Sequence, residues 1–211
     1  MLLNGTLAVG MPFVLTLYAQ QVLGYSALRF GLGLVVLAVA VTVGAIVAQA
    51  AVLKGFRPVA ATGMALMGAG PLLLTQVSVS GSYFGDIFFG LLVFGPGVGL
   101  AFVTATVAAL AGVAEHEAGL ASGLSNTALQ IGAALGVAIT TTVAVSRSDD
   151  YLAANEGANP LVVLNEGLQS AFLALVVLAG IGMALALLLL GRPRKAPQEQ
   201  LEPVPGVDLG F

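Results

Sequence analysis

Residues 119–143 read GLASGLSNTALQIGAALGVAITTTV, a long run without a charged side chain that is still not plain hydrocarbon. Wound as a helix at about 100° per residue, it places Ser122, Asn126, Gln130 and Thr140 on one polar stripe. Thr140, Thr141 and Thr142 nonetheless read as structural, since each hydroxyl can bond to the carbonyl four residues back. Ser125, Ala128, Gly132 and Gly136 form a second stripe of small residues, about a third of a turn away. A helix surrounded by lipid needs neither stripe. Small residues let two helix backbones approach closely, while uncharged polar residues suit a water-filled cavity or a neighbouring helix. The stretch reads as a membrane helix inside a bundle, with one side turned toward a pathway.

The remainder of the chain agrees. Its 211 residues are 58% hydrophobic and 8% charged, with a mean hydropathy of +1.03, whereas soluble domains carry about 25% charged residues. Up to Val145 the only charges are Arg29, Lys54, Arg57, Asp86, Glu115 and Glu117, set between long apolar runs. Without cysteine there is no disulfide, thiolate metal site or cysteine nucleophile. No basic patch interleaved with aromatics argues for a nucleic-acid partner. Glu115, His116 and Glu117 are adjacent and cannot converge on one ion from a helix, so no metal, cofactor or enzymatic centre is expected.

Six spans are predicted, at about 2–23, 30–52, 59–77, 86–110, 119–145 and 168–190, each near the roughly 20 residues that cross a 30 Å hydrocarbon layer. The expected fold is all-α, a polytopic six-helix membrane bundle over residues 1–191. The polar, Pro-rich tail at 192–211 is expected to be disordered and cytoplasmic. The first run lacks a basic leader and exceeds a signal-peptide core, so it reads as a retained helix. Gly95-Pro96-Gly97-Val98-Gly99 falls inside the fourth span and predicts a kink and a close-packing point. With no preceding strand and no lysine, it is not a phosphate loop.

An even number of crossings puts both termini on one side. With that side cytoplasmic, Lys54, Arg57, Arg192, Arg194 and Lys195 lie inside and only Arg29 and Arg147 outside, as the preference for basic inner loops requires. Residues 146–167, with Asp149, Asp150, Glu156 and Glu166, then form the longest outer connection. Asp86 sits at the outer boundary of the fourth span, where it is solvated or caps its helix.

Several of these segments together resemble the major facilitator superfamily, in particular its fourteen-helix drug:proton antiporters. Tyr18-Ala19-Gln20-Gln21-Val22-Leu23-Gly24-Tyr25-Ser26 is similar to the segment that ends the first helix of the carboxyl-terminal half, and Gly31-Leu32 continues it. Gly119, Ser122, Gly123, Asn126, Thr127, Gln130 and Gly132 resemble the pattern that opens the fifth helix of that half. Two positions depart from the family. Leu129 stands where an arginine usually precedes the glutamine, and Leu53-Lys54-Gly55-Phe56-Arg57 keeps the basic residues of a gating loop but not its acid.

The resemblance implies half of a major facilitator fold in the cytoplasmic membrane, exporting small, mostly apolar or cationic compounds by alternating access. It also implies a partner beyond the lipid bilayer: a missing amino-terminal half, or a second copy of the chain. Ser122, Asn126 and Gln130, with Tyr18 and Gln20, would form one wall of the path. Two alternatives remain open at this point. The three polar residues of the fifth span could instead bond to neighbouring helices, and Tyr18 and Gln20 could belong to an interfacial belt. The whole chain could equally be a non-transporting membrane subunit, a regulator or an inactive fragment.

Overall fold

The structure is a computed structural model and describes residues 1–189. Among them are six helices long and apolar enough to cross a membrane: α1 (Leu2–Val22), α2 (Ala27–Ala51), α3 (Phe56–Gln76), α4 (Tyr83–Leu110), α5 (Glu115–Ala154) and α6 (Pro160–Leu189). The predicted all-α six-helix bundle is thus the observed architecture. The predicted tail at 192–211 lies outside the described residues.

The fifth and sixth helices differ most from expectation. Most of the outer connection predicted at 146–167 is helical, and only a short turn separates Ala154 from Pro160. At about 1.5 Å per residue, α5 is about 60 Å long, far more than a 30 Å hydrocarbon layer needs. Arg147, Asp149 and Asp150 ride on its protruding end, where charge is free to face water. Apolar periodicity marks only the part of a helix that sits in lipid, so the extension was invisible to it.

Glycine decides how these helices pack. A Cβ on Gly132 would collide with the carbonyl of Leu2, and one on Gly136 with the carbonyl of Thr6. In return, Gly5 meets the Leu129 carbonyl, so α1 and α5 lie backbone against backbone. The glycines of α4 are shared between two neighbours. Gly95 and Gly99, one turn apart, face Ala40 and Val41 of α2. Gly97 points the other way, 2.8 Å from the Gly63 carbonyl of α3 if it carried a Cβ. Helix α4 continues through Pro96, and this seam takes the place of hydrophobic attraction, which lipid does not supply.

The buried stripe of α5 is Gly132, Gly136, Thr140 and Ala144. Thr140 therefore belongs to the packed side and not to the polar stripe assigned from the sequence. The reason is geometric: helices in contact cross along rows of residues four apart, and such a row drifts in azimuth as it climbs. A stripe of constant azimuth left the contact line after a few turns. The Thr140 hydroxyl donates to the carbonyl of Gly136 at 2.7 Å, and Thr142 donates to Ala138 at 2.8 Å, the back-bonding that lets threonine sit in a membrane helix.

At one end of the bundle the turns are tied to the helices by side chains. The Tyr18 hydroxyl donates to the Ser78 carbonyl at 2.7 Å, and Asn165 and Gln169 both donate to the Val77 carbonyl, at 3.0 and 2.6 Å. The Asp86 carboxylate accepts from the backbone N–H of Ser82 at 2.6 Å, so it caps its helix. At the opposite end Met1, Ala60, Ala109 and Leu189 come together, which fixes an up-and-down order for all six helices.

Candidate functional site at the start of α5

Below Gly132 the fifth helix leaves the packed bundle. Ser122, Asn126 and Gln130 are exposed, and their side chains make no hydrogen bond to another described residue. Neighbouring Thr127 satisfies its own hydroxyl on the Gly123 carbonyl at 2.9 Å. This part of α5 therefore presents uncharged polar groups outward from a surface that is otherwise apolar, with Leu120, Leu124 and Ile131 beside them.

Ser122 and Asn126 line a cleft of about 140 Å³ between α5 and the far end of α4. Ser125 and Leu129 join them from α5, and Phe102, Thr106 and Leu110 form the opposite wall. The cleft has no charged side chain among these residues, so it suits a ligand with an apolar body and a few hydrogen-bonding groups. Gln130 is exposed outside it. Phe102, Thr106 and Leu110 recur every four residues on one face of α4, a spacing that does not by itself tell which helix they meet.

The other predicted wall residues are not brought to this cleft. Tyr18 is fully buried at the opposite end of the bundle, held by its bond to Ser78. Its hydroxyl is taken up by a carbonyl sixty residues away in sequence, so it anchors the core and does not line this cleft. Gln20 is exposed near that same end. Lys54 closes a short turn, Val52–Lys54, and Arg57 is exposed at the start of α3. Between them Gly55 adopts a φ of 139°, a backbone that only glycine holds without strain.

A larger hollow of about 570 Å³ lies beside the cleft, lined by Asn4, Met64, Ala101, Ala105, Gly182 and Leu185 among others. Asn4 is buried there, and its amide finds no partner among the described residues.

No family model matches the chain. Its sequence relatives are more informative. Over 194 residues it is 31% identical to the puromycin resistance protein pur8 of Streptomyces alboniger, an alignment covering 86% of this chain and 38% of that one. It is 33% identical over 172 residues to the MFS-type transporter EfpA of Mycobacterium tuberculosis, covering 76% of this chain and 31% of EfpA. The chain belongs to the major facilitator superfamily. The cephamycin export protein CmcT of Amycolatopsis lactamdurans is a further relative, 34% identical over 145 residues, which cover 68% of this chain and 30% of CmcT. The chain thus spans about a third of the length of these relatives.

Membership in this superfamily gives the packing a simple description. Each six-helix half of a major facilitator protein is built from two three-helix units of opposite topology. Here α2 packs on α4 and α5 packs on α1, each through small residues spaced by four.

Proposed function

We propose that this chain is the carboxyl-terminal six-helix half of a drug-export transporter, with residues 1–191 as its membrane domain. It works by alternating access against a second half, supplied by an amino-terminal domain or by another copy. Substrates are small and mostly apolar or cationic. The observation that carries this reading is the exposed, uncharged polar face of α5 beside a cleft lined by uncharged side chains, since lipid offers Ser122, Asn126 and Gln130 no hydrogen bonds. The puromycin resistance of pur8 and the cephamycin export of CmcT support it.

The test is ethidium accumulation in cells expressing the chain alone or together with an amino-terminal half. Energy-dependent efflux is the expected result, with the chain alone if a second copy supplies the other half and only in the pairing if an amino-terminal half does. A second reading, a non-transporting subunit, draws on Leu129, which puts an apolar side chain in the cleft at the family's arginine position. No efflux in any pairing would favour it.

The same reading places both termini in the cytoplasm of a cell whose cytoplasmic membrane the bundle spans. Alkaline phosphatase, active only outside, should then be active when fused after Ser80 and inactive when fused after Glu115. The reverse pattern would invert the topology.

A further inference from the structure

Away from both chain ends, the connection between α3 and α4 is bound more tightly than a surface turn needs. Five hydrogen bonds involving side chains close over it: Tyr18, Asn165 and Gln169 on the carbonyls of Ser78 and Val77, the Tyr83 hydroxyl on the Gly33 carbonyl at 2.6 Å, and the Tyr83 N–H on the Tyr25 hydroxyl at 3.2 Å. These bonds join the connection to α1, to α2, to the turn between them and to α6. All five are between neutral groups, so none carries the desolvation penalty of a buried ion pair and each is exchangeable.

Two further features set this end of the bundle apart. Helices α1 and α4 each contain a π-helical turn at this end, Tyr18–Val22 and Tyr83–Ile87. Such turns hold one residue more than an α-helical turn and are frequent at functional sites. The buried Asn165 amide is also only half satisfied, because its Oδ1 has no partner among the described residues. A buried polar group with one unmet bond is a site of stored strain or of an ordered water, and in either case its bonding can be exchanged. Gly81 makes the fit tight: a Cβ there would run into the Tyr18 hydroxyl and lie 2.7 Å from an Asp86 carboxylate oxygen.

We propose that the Val77–Tyr83 connection is a two-state latch, closed in this structure, which clamps α1, α2 and α6 together at this end of the bundle. Release breaks the Tyr18–Ser78 and Gln169–Val77 bonds and lets the π-helical turn of α1 rewind, so that this end of α1 turns relative to α6. The latch uses none of the residues of the α5 cleft, and its failure would leave the export reading untouched.

The chain has no cysteine, so a Val79→Cys, Ala153→Cys pair can be spin-labelled uniquely and its distance distribution read by double electron–electron resonance in lipid nanodiscs. Two distances are expected, with the latched one dominant. Tyr18→Phe and Gln169→Leu, each deleting one hydrogen bond, should raise the released fraction about fivefold. Gly81→Ala, a wedge that deletes no bond, should shift the ratio the same way without moving either distance. A single distance that none of the three variants alters would overturn the proposal and reduce the connection to a static cap. A continuous broadening, with loss of cooperative thermal unfolding, would overturn it as well, since the variants would then be melting the end of the bundle.

Discussion

Gly132→Leu is expected to destabilise the bundle by about 3 kcal/mol, at the upper end for overpacking. Gly132 meets the Leu2 carbonyl, Gly136 meets that of Thr6, and Gly5 meets that of Leu129, so the contact is backbone on backbone and no flexible side chain is available to move aside. A leucine at Gly132 must push the helices apart by the thickness of a side chain, which removes the close packing that substitutes for hydrophobic attraction in lipid. Gly123 supplies the control on the same helix. Nothing lies within 4 Å of a Cβ built there, so Gly123→Leu should stay within about 0.5 kcal/mol of the parent. Denaturant titration of the purified protein in detergent, followed by far-ultraviolet circular dichroism, separates the two. Equal losses would mean that α1 and α5 do not meet along this seam.

The second large effect is on transport. Asn126→Ala combined with Gln130→Ala should lower ethidium efflux by the assembled transporter about tenfold, the rate equivalent of about 1.4 kcal/mol, with the amount of protein in the membrane unchanged. Both side chains are exposed and make no hydrogen bond within the described bundle, so their removal leaves no buried group unpaired. Stability and transport should therefore separate. If the pair were interhelical glue, unfolding would shift along with efflux, and the packing alternative would be the correct one.

How much of this was legible beforehand varies with the distance over which each feature is decided. The six spans were readable because a membrane helix must satisfy its backbone internally and present apolar side chains for about twenty residues. The true ends of α5 and α6 were not, because Arg147, Asp149 and Asp150 continue the helix into water, where hydropathy has nothing to report. The close-packing glycines at Gly95, Gly97, Gly132 and Gly136 were visible as spacing, but which neighbour each one meets depends on topology. By ideal azimuth Thr140 falls on the polar stripe, yet its structural reading holds, since its hydroxyl bonds back to the Gly136 carbonyl on the packed side. Tyr18 shows a longer-range failure: its hydroxyl is committed to Ser78, and nothing local in YAQQV distinguishes an anchored tyrosine from an interfacial one. The α5 cleft was half legible. Ser122 and Asn126 were found from one helix, while the α4 wall of Phe102, Thr106 and Leu110 emerged only once the two helices were side by side.

The account rests on the polar face of α5 standing in water and not in lipid. Asn126→Cys in the assembled transporter, in native membranes, tests that directly, because the chain itself brings no cysteine to compete. Reaction with a membrane-impermeant charged maleimide is measured against Leu124→Cys, whose parent side chain is apolar and exposed on another side of the same helix. Rapid labelling at Asn126 with slow labelling at Leu124 is the predicted result. Equal, slow labelling at both would put Asn126 in lipid or against another helix and would contradict the account.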